Sequence, residues 1–205
     1  TRNGYTLSLF FRTMEFNLGT SFPLYTTKKI SFEKIVSELL FFLSGDTNTK
    51  HLEAQGNSIW KDNTSALFLS DHHLPYDEGD MGPMYGFQWR HFGATYEGCD
   101  ADYQGKGIDQ VVKCLDLIKN DPSSRRIVMT SFNVSDAEKG VLYPCHGIAI
   151  QFHVSNDNCL SCSVVIRSND WCVGNPFNVA SYALLVHFFV YAVNNDVTYA
   201  GPKLS

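Results

Sequence analysis

No stretch of the sequence holds about 18 apolar residues without polar interruption, the length a membrane-spanning helix needs. Its first residues carry none of the charged-then-apolar pattern of a secretion signal. Basic residues are short as well: 16 Lys and Arg stand against 21 Asp and Glu, a net charge of -5. Wrapping a nucleic acid wants the opposite balance, so DNA is not an expected partner, although two or three arginines suffice for one phosphate. Cysteine is sparse: six in 205 residues are too few for a small disulfide scaffold. Cys159-x-x-Cys162 lies in a strand-like run with no second pair and no matching histidines, so no metal is expected. There is no internal repeat. The expectation is a reduced, cytoplasmic protein with no membrane partner. The Asn-x-Ser/Thr triplets at Asn63 and Asn133 are then chance.

What is present suits one domain with a sizeable core: 44% of residues are apolar and 14% aromatic. Residues 6–16 alternate like a strand, and a chain opening mid-strand is expected to be truncated there. From Ser31 to Leu43, Phe32, Ile35, Val36, Leu39, Leu40 and Leu43 recur on one helical face, and Gly45-Asp46 ends it. Residues 48–60 read as a shorter helix. Residues 61–82 are polar and turn-rich, and read as a solvated, mobile excursion. The aromatic density from Tyr85 to Gly93 suits either a ligand wall or a knot of packed loop residues. Ile108 to Ile118 is an amphipathic helix closed by Asp121-Pro122. Arg125-Arg126 open a strand running to Thr130. Gly147 to Val154 and Leu160 to Ile166 form a hairpin through Ser155–Asn158, and Asn178 to Val193 is a central, buried helix.

Chemistry gathers around Tyr143-Pro144-Cys145-His146. A nucleophilic cysteine needs a nearby cation to hold it as thiolate, and Arg167, closing the next apolar run, is the candidate. Ser168, Asn169, Asp170 and Asn178 supply donors and acceptors able to read a polar heterocycle. Alone, Asn178 suits a helix cap as well as a site. Glu38 is either a surface carboxylate at the edge of its helix or a carboxyl in an apolar wall, with its pKa open to elevation. Arg125 and Arg126 suit a solvated strand end or a phosphate, and could reach into a neighbouring subunit.

Several long motifs decide between these readings. They are Phe22-Pro23-Leu24 with Thr26-Thr27-Lys28-Lys29, Glu38-Leu39-Leu40, Gly45-Asp46-Thr47-Asn48, Ile59-Trp60, and Gly82-Pro83-Met84-Tyr85-Gly86-Phe87-Gln88-Trp89-Arg90. Asp121-Pro122-Ser123-Ser124-Arg125-Arg126, Pro144-Cys145-His146, Arg167-Ser168-Asn169-Asp170 and Gly174-Asn175-Pro176-Phe177-Asn178-Val179-Ala180-Ser181-Tyr182 complete the series. In order and over nearly the whole chain, the sequence resembles the thymidylate synthase family. The resemblance implies an α+β, layered fold with a large mixed sheet covered by helices, the sheet forming the interface of a homodimer. It implies one catalytic domain over residues 1–205, truncated at both ends. The family's N-terminal phosphate arginine falls near Arg2, and its His-x-Tyr motif and closing tail fall beyond Ser205.

The same resemblance implies the reaction: methylation of dUMP to dTMP, with 5,10-methylenetetrahydrofolate as co-substrate and no metal. It implies that Cys145 is the nucleophile, that Arg167 and Ser168 bind the phosphate, and that Arg125 and Arg126 reach the partner's phosphate. Asn178 would read the uracil edge; Glu38, Tyr85 and His146 would assist proton transfers; Asp170 and Trp60 would hold the folate. Ile166 stands where the family often has glutamine, and Asn63 where a second tryptophan is common. The alternatives are a deoxyuridylate hydroxymethylase on the same scaffold and a non-catalytic nucleotide-binding relic.

Overall fold

Ser31 opens the first helix, α1 (Phe32–Ser44), its hydroxyl accepting the Lys34 amide at 3.4 Å. The helix ends at Gly45, whose N–H returns to the Phe42 carbonyl. Both ends fall within a residue of the sequence expectation. Its inner face buries Ile35, Leu39, Phe41, Phe42 and Leu43. The computed structural model describes residues 4–195, and Arg2 lies outside them.

Two short helices follow, α2 (Thr49–Ala54), capped by Asn48, and α3 (Ala66–Asp71), capped by Ser65. Residues 61–78 are solvated over much of their length, as expected, but α3 forms within them and residues 79–82 are buried. Thr64 is buried, sharing a hydrogen bond of 2.8 Å with the Thr49 hydroxyl, and Leu69 is buried in the core. Asp80 is also buried, its carboxylate accepting the amides of Gly82 at 2.7 Å and Cys99 at 3.0 Å. Thr64 and Asp80 find their partners inside the protein, so for these two polarity did not mean exposure, while Lys61, Asp71, His72 and Glu78 are exposed.

Every residue from Met81 to Arg90 is buried, and Gly86–His91 forms α4. The aromatic knot is thus packed, and Tyr85 within it also faces the candidate site. Next, α5 (Gln110–Asn120) starts at Asp109, whose carboxylate accepts the Val112 amide at 3.0 Å.

The sheet holds β1 (Val128–Met129), β2 (Ala149–Val154) and β3 (Leu160–Val165) in that order. Val128 pairs with Gln151, and β2 and β3 close their hairpin at Val154 opposite Leu160. The expected α+β class holds, but the sheet formed by the described residues is small and antiparallel rather than large and mixed. A tight turn can join only antiparallel strands, and no crossover helix lies between β1 and β2. Residues 6–16, expected as a strand, pair with nothing among the described residues, and Leu7 is 105% exposed. Alternation of side chains does not create a strand without a partner ladder. One sheet face carries buried Met129, Ile150 and Phe152; the other exposes Val128, Gln151, His153, Ser161, Ser163 and Val165.

The longest helix, α6 (Gly174–Asn194), packs on α1, α5 and β3. Phe189 stacks on Phe152 at 4.7 Å between ring centres, a contact worth about 1 kcal/mol beyond its buried area. By length and hydropathy α6 could cross a membrane, but 56% of its most apolar window is buried in the protein, as in a core helix.

Candidate active site

Two glycines bring the site together. At Gly86 a Cβ would sit 2.7 Å from the Phe42 carbonyl oxygen and 2.9 Å from its Cα, so only glycine lets α4 begin against α1. That approach sets the Tyr85 ring 5.0 Å from Phe42 and 5.9 Å from Trp60. Tyr85 has φ 33°, a left-handed value that costs a non-glycine residue about 1–3 kcal/mol. The second glycine, Gly147, has φ 66°, and a Cβ there would lie 2.5 Å from Ser131 Oγ and 2.7 Å from Tyr182 Oη. It lets the chain turn from His146 into β2.

Cys145 is half-buried between these points, and its Sγ–H donates to the Tyr143 carbonyl at 3.3 Å. Its amide donates to Tyr85 Oη at 3.3 Å, while its carbonyl accepts the amides of Arg167 at 2.8 Å and Ser168 at 3.3 Å. The Arg167 Nε–H donates to the Pro144 carbonyl at 3.2 Å, and its guanidinium lies 4.9 Å from the centre of the Tyr143 ring. The arginine is therefore strapped to the two residues that precede the thiol. Ser168 is exposed beside it.

Three proton-bearing groups flank the thiol. Burial pushes the Glu38 carboxyl from 4.5 up to about 7, opposed by the Trp60 indole N–H that donates to Oε1 at 2.8 Å. The carboxyl belongs to an apolar wall, not to a free helix surface. Burial raises the Tyr85 phenol well above its ordinary range, with the nearby Cys145 adding to the effect, so it keeps its proton. Burial lowers His146 from 6.5 to about 4, so the imidazole is neutral at pH 7. His146 stacks on Tyr85 with ring centres 4.3 Å apart, and its Nδ1 lies 2.7 Å from Tyr182 Oη.

α6 has no side-chain cap at Val173, the role the sequence offered to Asn178, and Asp170 instead holds the turn that leads into the helix. Its Oδ1 accepts the amides of Cys172 at 2.9 Å and Val173 at 2.8 Å, just before α6. Asn178 lies four residues inside the helix, and its amide has no hydrogen-bond partner among the described residues. Trp60 is almost fully buried, its indole committed to Glu38. The structure thus gathers Glu38, Trp60, Tyr85, Cys145, His146 and Arg167.

It does not gather Arg125 and Arg126. Both are exposed in the turn before β1, and neither side chain has a partner among the described residues. The β1–β2 register sets Arg126 level with His153, six residues along β2 from Gly147, or roughly 20 Å at strand rise. Sequence reasoning gave Tyr182 no role. Its spacing of four from Asn178, which places both on one face of α6, was the available signal. Asn169, named as able to read a heterocycle, and Asn175, given no role, each have a buried side-chain oxygen without a partner among the described residues.

A half-buried thiol strapped to a cation and flanked by a carboxyl, a phenol and a neutral imidazole is the equipment of a protein built for covalent chemistry at a cysteine. The thymidylate synthase family description matches residues 1–200, and the chain belongs to that family. It is similar to a bifunctional dihydrofolate reductase-thymidylate synthase of Zea mays, 51% identical over 183 residues, covering 89% of this chain and 35% of the relative. A Paramecium tetraurelia protein of the same description is 48% identical over 190 residues, 92% of this chain and 41% of the relative. A thymidylate synthase of Ascaris suum is 48% identical over 188 residues, 91% of this chain and 63% of the relative. The chain therefore spans between about a third and two thirds of these relatives.

Proposed function

We propose that this protein methylates dUMP to dTMP, with Cys145 forming the covalent bond to C6 of the uracil ring. The observation that carries this reading is the neutral-pH carboxyl of Glu38, which shares an apolar wall with Tyr85 close to a half-buried cysteine. The names of the relatives support it.

Bonding of Sγ to C6 moves an electron pair towards C5 and O4. A proton is then needed near O4, and Glu38 exchanges one readily at pH 7 because burial has brought it to about 7. Asn178, with its amide uncommitted, suits a uracil edge: it can donate to O4 and accept from N3–H. Burial keeps the Tyr85 phenol protonated, and with its oxygen accepting the Cys145 amide it has a proton to offer. Arg167 and Ser168, exposed beside the thiol, suit the phosphate.

For methylenetetrahydrofolate, the fitting feature is Asp170. One of its oxygens holds the turn before α6, and the other has no partner among the described residues, which suits the N–H groups of a pterin. Trp60 contributes by holding Glu38 rather than as an open wall. When bound, the folate supplies the one-carbon unit and then a hydride, and the chain's part is placement and exclusion of water.

With dUMP and methylenetetrahydrofolate, the full-length protein should yield dTMP and dihydrofolate, while dCMP turns over poorly. Hydroxymethyl-dUMP with tetrahydrofolate as products would sink the reading in favour of the hydroxymethylase. No turnover by folded protein would favour the relic.

The same proposal includes a cytoplasmic homodimer of one catalytic domain per chain, paired through the open face of the sheet. Val128 at 43% and Val165 at 51% exposure are apolar groups on that face, as an interface wants. Arg125 and Arg126, placed so far from their own thiol, then serve the partner's phosphate. Mixing and reassembling an Arg126→Ala chain with a Cys145→Ala chain should recover about a quarter of the wild-type sites, because each mixed pair keeps one intact site. If the reassembled mixture stays as inactive as its parents, the shared site is wrong.

A further inference from the structure

Tyr182 has no part in the reading above, yet its hydroxyl lies 2.7 Å from the only imidazole beside the thiol. It is 8% exposed, on the face of α6 that also carries Asn178. We propose that Tyr182 is a positioning residue that holds His146 in one tautomer, with Nδ1 accepting the tyrosine proton and Nε2 carrying the ring's own.

The direction of that hydrogen bond follows from where the protons can go. Among the described residues Nδ1 is the only hydrogen-bond partner of Tyr182 Oη. If the ring donated instead, the phenol proton would be left buried without an acceptor, at a cost of about 1–3 kcal/mol. Burial keeps the phenol protonated and the imidazole neutral, so the donor has its proton and the acceptor its lone pair.

Two contacts then fix the ring completely. Stacking on Tyr85, at 4.3 Å and 13° between planes, sets its plane. The bond to Tyr182 sets its rotation within that plane. Nε2 has no hydrogen-bond partner among the described residues and is not one of the fully buried unpartnered atoms, so it is left free to take a ligand or a water. His146 therefore shows the cleft an N–H donor, and its basic nitrogen is turned to the helix. It cannot accept the Cys145 proton at Nε2, and it is set to hold a carbonyl oxygen or an ordered water. The tautomer follows from the protein alone; only its use towards a uracil carbonyl rests on the proposed function.

Nitrogen-15 NMR of histidine-labelled full-length protein at pH 7.5 tests this without any turnover. His146→Asn identifies the ring's signals among the seven histidines. The expected spectrum has a pyridine-type Nδ1 and a pyrrole-type Nε2. In Tyr182→Phe both should move towards a common, averaged shift as the tautomers interconvert. A pyrrole-type Nδ1 or averaged shifts in the unaltered protein would overturn the proposal, as would unchanged shifts in a folded Tyr182→Phe. Should that variant not fold, the unaltered protein's spectrum decides alone. A protein inactive towards dUMP could still give the expected spectrum, so the two readings fail separately.

Discussion

Cys145→Ala should lower dUMP turnover on the order of 10⁴-fold or more while leaving nucleotide affinity within about threefold. The split is expected because the position holds its surroundings through the backbone. The amide bond to Tyr85 and the carbonyl bonds from Arg167 and Ser168 all survive the substitution. Only the thiol's bond to the Tyr143 carbonyl is lost. The phosphate side of the site therefore keeps its shape, and nucleotide binding reports on it. No second thiol is placed to substitute: Cys172 is exposed ahead of α6, and Cys159 lies at the β2–β3 hairpin. Turnover above a hundredth of the unaltered rate, in single-turnover assays with labelled dUMP, would remove Cys145 from the chemistry.

Glu38→Gln should stabilise the ligand-free protein at pH 8 by roughly 2–3 kcal/mol and reduce turnover by about 10² or more. A carboxyl raised from 4.5 to about 7 stays protonated in the folded protein across a range where the unfolded chain has lost its proton. Stability from this group falls as pH rises from 4.5 to 7, and the full cost persists above. Glutamine is neutral at every pH and can still accept the Trp60 N–H, so the cost disappears and the bond remains. His146 acts in the opposite direction. Lowered from 6.5 to about 4, it costs stability as pH falls through that interval. In the unaltered protein the two trends nearly cancel between pH 4.5 and 6.5. In Glu38→Gln the histidine trend stands alone, with stability rising from pH 4 to 6.5 and level above. Urea unfolding across pH 4–8 measures both curves. A variant no more stable at pH 8 would mean the carboxyl is ionised without penalty.

Much of this was legible in the sequence where local chemistry decides. Ser31, Gly45 and Asp109 set helix ends through bonds to neighbours a few residues away, and the Ser155–Asn158 turn fixed the hairpin. The start of α6 was misplaced by four residues because Gly174-Asn175-Pro176 reads as a loop. Proline is tolerated in a first turn, where its missing N–H has no partner to lose, and Asp170 holds the turn just ahead of it. Within residues 61–82, the burial of Thr64 and Asp80 was missed because a polar side chain does not announce whether its partner is water or Thr49. The site residues were named from motifs, but their states were not. Glu38's affinity for its proton is raised by burial among neighbours distant in sequence and moderated by the Trp60 N–H, 22 positions away, and the approach of Gly86 to Phe42 sets where Tyr85 sits. Those are properties of assembled neighbours, and no spacing records them.

The distance between Arg126 and its own thiol has a consequence for how activity scales with supply. In the dimer reading, one chain brings the reactive sulfur and the other brings part of the anion clamp, so a lone chain is an incomplete catalyst. Below the concentration at which chains pair, output grows with the square of expression rather than in proportion to it. Halving synthesis would then cost a cell three quarters of its capacity, and a modest loss of interface affinity would act like a much larger loss of enzyme.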